Sequence, residues 1–68
     1  MTQCEMILRY MRDFGGITPW EAMREFGCMR LGARIWDLKR RGIAIERTLV
    51  VDTNRYGKRV RYARYTVA

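Results

Sequence analysis

The chain contains no histidine, one proline and only two cysteines in 68 residues. Without an imidazole it lacks the side chain that ordinarily serves as a general base near neutral pH. Cys4 and Cys28 lie far apart and neither belongs to a CxxC pair, so one chain cannot assemble a four-ligand zinc site. Cys28 reads as a small residue filling a helix–helix turn rather than as a redox sensor. The carboxylates Asp13, Glu21, Glu46 and Asp52 are scattered, and there is neither a nucleophile elbow nor a glycine-rich phosphate loop. A non-enzyme with no metal and no cofactor is expected. No window approaches the eighteen or so apolar residues of a membrane span, and the N-terminal residues show no charged leader followed by an apolar run. The expectation is a cytoplasmic protein with reduced cysteines and no membrane partner.

Negative charge is scarce downstream of Gly27. Residues 1–27 carry three arginines against four carboxylates, whereas residues 28–68 carry nine arginines and two lysines against Asp37, Glu46 and Asp52. The later segment thus carries +8 and the first 27 residues −1, which together give the net charge of +7. Such asymmetry suits the holding of a polyanion. Arginine outnumbers lysine there, and its planar fork matches phosphates and guanine edges, a choice that solubility alone would not require.

Apolar content of 49% is sufficient for a packed core, and 68 residues fit a single domain over 1–68 that buries about 60% of its unfolded surface. Thr2 and Glu5 have the spacing of a capping box, and Ile7, Leu8, Met11 and Phe14 continue an apolar face, so a helix is predicted over 3–14. Gly15-Gly16 stops it. Ile17 bridges as one extended residue able to pair with a later strand. Thr18-Pro19-Trp20-Glu21 combines a capping box with proline at the first helical position, which starts a second, short helix ended by Gly27. From Arg30 to Arg41 the apolar positions Leu31, Ile35 and Leu38 form a stripe, and Gly42 closes this third helix. Ile43, Ile45, Thr48, Val50, Val51 and Thr53 are β-branched and predict a strand over 44–52. A turn at 54–58 follows, then a return strand over 59–67. The run Leu49-Val50-Val51 breaks the alternation and suggests a bulge or a strand end buried on both faces.

Helix, extended residue, helix, turn, helix, hairpin is the order of a winged helix-turn-helix. The expected class is mainly α with a β-hairpin (α+β), a three-helix cluster plus a two- or three-stranded wing sheet. Its core would hold Ile7, Met11, Phe14, Leu31, Ile35, Leu38, Ile43 and Ile45, closed by Tyr62, Tyr65 and Val67. The segment Leu31-Gly32-Ala33-Arg34-Ile35-Trp36-Asp37-Leu38-Lys39-Arg40-Arg41-Gly42-Ile43-Ala44-Ile45, followed by Asn54-Arg55-Tyr56-Gly57-Lys58, resembles the small winged helix-turn-helix proteins of bacteriophages and prophages. The likeness covers nearly the whole chain. It implies nucleic-acid binding or gene regulation in a bacterial or phage-infected cell, while some relatives of this fold are protein-interaction modules.

The third helix would then lie in a major groove. Arg30, Gly32, Ala33 and Arg34 occupy its first turns, where base edges are met and small residues let the backbone approach. Arg30 and Arg34 are the candidates for base readout, with Asp37, Arg40 and Arg41 further along the helix. The plainer alternative is a solvated face on which Asp37 pairs with Arg34 or Arg41. At the hairpin tip, Asn54, Arg55, Tyr56, Lys58 and Arg59, with Arg61 beside them, would meet phosphates or a minor groove, or merely keep a turn solvated. Trp36 is expected to be buried against the wing or the first helix; Trp20 is left open, and an exposed pair of indoles would point to a protein contact. The expected partner is double-stranded DNA, bound as a homodimer or a cooperative assembly because one small module covers few base pairs. A transcriptional regulator or recombination accessory factor is the resulting expectation. The alternative from another class is a module that binds a host nucleoprotein complex; RNA fits less well, since its deep major groove admits no helix.

Overall fold

A computed structural model describes residues 1–68. Three helices, α1 (Gln3–Phe14), α2 (Pro19–Phe26) and α3 (Leu31–Arg40), precede two antiparallel strands, β1 (Ile45–Thr53) and β2 (Arg59–Val67). The arrangement is the α+β winged helix-turn-helix that the pattern implied.

Local chemistry explains the boundaries. At α2 the capping box is complete: the Glu21 N–H donates to the Thr18 hydroxyl at 3.2 Å and the Thr18 N–H donates to the Glu21 carboxylate at 2.9 Å. At α1 only half of that motif forms, since the Thr2 hydroxyl accepts from the Glu5 N–H and itself donates to the Glu5 carboxylate. The end of α3 is a Schellman motif. Gly42, at φ 91°, donates its N–H to the Lys39 carbonyl, and the Ile43 N–H donates to that of Leu38. Only glycine holds that left-handed backbone cheaply, and the motif turns Ile43 back against the core.

Cys4, Ile7 and Met11 of α1, Ala22 of α2, Cys28 of the turn, Leu31, Ile35 and Leu38 of α3, and Ile17 and Ile45 form the buried core. Ile17 makes two backbone hydrogen bonds with Tyr65, at 2.9 Å each, so it adds a one-residue third strand to the sheet. Cross-strand partners run without interruption from Ile45↔Val67 to Thr53↔Arg59. Partners share a face, so the odd-numbered face packs Ile45, Tyr65 and Val67 on the core at its root. Nine-residue strands rise about 30 Å, and the hairpin thus accounts for the long axis of a 39 × 22 × 21 Å molecule.

Four expectations are corrected. No bulge is present: Leu49 and Val51 are half exposed because the hairpin runs beyond the core, so the apolar run breaks no burial rule and the register stays regular. Phe14 is 68% exposed. It is the last residue of α1, the core at that end is closed by Ile17, and its ring instead stacks on Tyr10 at 4.6 Å. Tyr62 does not close the core with Tyr65 and Val67, because the period of two puts it on the opposite face. Trp36 is not buried; it lies one position past Ile35, which carries it about 100° around the helix to the outer side, where it is 59% exposed.

Candidate nucleic-acid interface

α3 differs from the other two helices at its start. Thr2 and Thr18 cap α1 and α2 with side-chain oxygens, whereas Arg30 occupies the cap position of α3 with no side-chain acceptor. The Ala33 and Arg34 N–H groups turn back to the Arg30 carbonyl, but those of Leu31 and Gly32 donate to nothing in the protein. Open N–H groups at the positive end of a helix dipole favour an anion. A Cβ on Gly32 would meet no atom within 4 Å, so the backbone there is open to close approach. Arg30 itself is exposed and without a carboxylate partner.

Along the helix, the functional and the structural readings divide residue by residue. Arg34 donates to the Asp37 carboxylate at 3.2 Å, and both side chains are only about a third exposed, at 38% and 34%. The Nε of Arg34 is enclosed without a partner. The solvated-face alternative is therefore realised for this pair, and Arg41 is left unpaired beyond the helix end. Ala33 is half-buried. Arg40 lies over the Trp36 ring, its guanidinium carbon 4.7 Å from the centroid. This cation–π contact leaves both groups on the outer surface. Asp37, Arg40 and Arg41 together line a shallow polar recess of about 350 Å³.

In the wing, Arg55, Tyr56, Lys58, Arg59 and Arg61 are all exposed, Tyr56 at 88%. Asn54 has a structural task as well: its side-chain oxygen accepts the N–H groups of Tyr56 and Lys58, each at 3.0 Å, which shapes the tip. Its amide nitrogen stays free for a ligand. Arg59 and Arg61 occupy the odd-numbered face, as does Arg47, which sequence reasoning missed. The strand parity that could have found Arg47 was obscured by the apolar run after it. Arg64 is on the other face and lies against the α1–α2 turn, where a Cβ on Gly16 would come within 2.5 Å of its guanidinium carbon.

Of the eleven cationic side chains after Gly27, only Arg34 has a carboxylate within 4.0 Å. The remaining positive charge is uncompensated within the chain. Tyr10, which packs on Phe14 and Phe26, is the one group whose titration is clearly displaced: partial burial, then the hydrogen bond to Glu21 and its negative charge, raise the phenol above its ordinary range.

Three helices, a glycine turn before an arginine-bearing third helix, and a long basic hairpin define the class. The chain belongs to the winged helix-turn-helix domain family, which it matches over residues 2–68. No curated protein and no solved structure matches it. Domains of this family are typically DNA-binding modules rather than catalysts, and membership points to DNA as the ligand. No helix is long and apolar enough to cross a membrane.

Proposed function

We propose that the domain binds double-stranded DNA with the N-terminal turns of α3 in a major groove and the wing on the flanking backbone or minor groove. Arg30 and Arg34 read base edges; Gly32 and Ala33 permit the approach; Asp37, Arg40 and Arg41 set the outer side of the helix. Asn54, Arg55, Tyr56, Lys58, Arg59 and Arg61 hold the flank. The biological role fitting this interface is that of a phage- or prophage-type transcriptional regulator or recombination accessory factor, acting as a homodimer or in cooperative arrays.

The observation that carries the reading is the uncompensated charge on α3 and the hairpin, joined to an uncapped helix start. Of the three arginines before Gly27, two find partners, Arg9 with Asp13 and Arg24 with Glu25. In the Arg34–Asp37 pair, duplex binding exchanges one carboxylate for guanine or phosphate acceptors, and Asp37 becomes free to accept from a cytosine amine.

Duplex affinity measured against salt concentration tests this directly. Six neutralised phosphates give a slope of about −5 in log K against log salt, at roughly −0.9 for each. Absence of binding at low salt, or a flat response, overturns the proposal. Selection from random duplexes then supplies the preferred site.

A further inference from the structure

The two tryptophans stand in different company. Trp36 has a cation supplied by its own helix, the Arg40 guanidinium. Trp20 is 68% exposed and has none. Its ring helps to line an open groove of about 590 Å³ between the start of α2 and the even-numbered face of the hairpin, together with Thr18, Pro19, Met23, Asp52 and Tyr62. One oxygen of Asp52 accepts the N–H of Thr53 at 2.7 Å. No lysine or arginine reaches its carboxylate within 4.0 Å, in a chain that has fourteen of them.

A tryptophan and a tyrosine beside an unpaired carboxylate have the chemistry that recognises an organic cation: ring faces attract the charge and the carboxylate neutralises it. We propose that this groove is a docking site for an arginine side chain presented by a partner protein. Guanidinium suits it better than ammonium, being planar, weakly hydrated, able to stack on a ring and able to fork onto a carboxylate. Pro19 and Met23 offer apolar walls to the residues on either side of that arginine. The groove is ill suited to nucleic acid, because Asp52 repels phosphate, and it lies on the hairpin face opposite Arg59 and Arg61. An exposed tryptophan beside a half-buried tyrosine in a concave site offers the residue types that carry contact energy between proteins. The site is independent of DNA binding, so a regulator could hold a duplex and a partner at once.

The test titrates the intact chain with the capped peptide acetyl-Leu-Arg-Leu-amide, and with its citrulline counterpart, which keeps the shape and loses the charge. The two indole N–H signals, distinguished with Trp36→Phe, report the site. The arginine peptide shifts the Trp20 signal saturably and leaves Trp36 unmoved; citrulline and the exposed variant Asp52→Asn each weaken binding roughly tenfold or more. Trp20→Leu, also an exposed position, abolishes the saturable response followed at the Asp52 amide. Equal affinity for the two peptides, indifference to Asp52→Asn, or no saturation overturns the proposal. A duplex that shifts Trp20 would assign the groove to nucleic acid, and a shift on concentrating the protein alone would assign it to a second copy; either contradicts it.

Discussion

The first 27 residues and the remainder of the chain handle charge and hydrogen-bonding capacity in opposite ways. Up to Gly27, both helices are capped by threonines, Glu21 accepts from Thr18 and from Tyr10, and Arg9 and Arg24 stand beside carboxylates. Beyond Gly27, the helix start is uncapped and ten cations face no carboxylate within 4.0 Å. The first part of the molecule satisfies its own polar groups, and the later part leaves them open to a ligand. Self-repulsion among those cations is a cost that an anionic ligand relieves.

Substitutions put this contrast to the test. The largest effect is expected at Ile7, fully buried in α1: Ile7→Ala removes about 3 kcal/mol of stability, a large share of the total for so small a domain, as chemical denaturation would show. Next come the ligand-facing changes. Arg30→Ala and Arg34→Ala each cost ~1–3 kcal/mol of duplex affinity and relax base preference, whereas Lys58→Ala weakens all sequences alike and lessens the salt slope by about 0.9. Arg30→Ala and Lys58→Ala, at exposed positions, should alter stability by no more than about 0.5 kcal/mol, whereas Arg34→Ala also strips Asp37 of its partner; a large loss of stability at Arg30 or Lys58 without a change in affinity would reverse the assignment. Thr18→Ala should show the opposite signature, losing ~1 kcal/mol of stability with duplex affinity unchanged.

The smallest effect concerns pH. The Tyr10 phenol has its proton held more tightly in the folded protein than in the unfolded chain, by burial and by Glu21. Its contribution is therefore complete below the unfolded value of about 10 and is lost as pH rises through the higher folded value. Tyr10→Phe should flatten the alkaline decline in melting temperature, and an unchanged decline would remove Tyr10 from the account.

Much of this architecture was legible because it is written in short-range chemistry. Thr18, Pro19 and Glu21 define a helix start wherever they occur in that order, Gly42 marks an end, and Ile17 between two helices has little choice but to pair. Tertiary placement was less legible. Phe14 and Trp36 are large apolar residues, but helical spacing does not say where the core stops, and both lie outside it. Tyr62 shares its composition with Tyr65 and differs only in parity, which the Leu49-Val50-Val51 run concealed. At the interface, helical spacing allowed Asp37 either Arg34 or Arg41; the structure pairs it with Arg34 at 3.2 Å. The groove that joins Trp20 to Asp52 arises only when the hairpin is placed against α2.

Backbone amide shifts recorded while a selected duplex is added test the central claim most directly. The account predicts that residues 30–34 and 54–61 move together and saturate at one duplex concentration, while α1 and α2 stay still. Shifts concentrated on α1 and α2, or a wing that does not respond when α3 does, would contradict it.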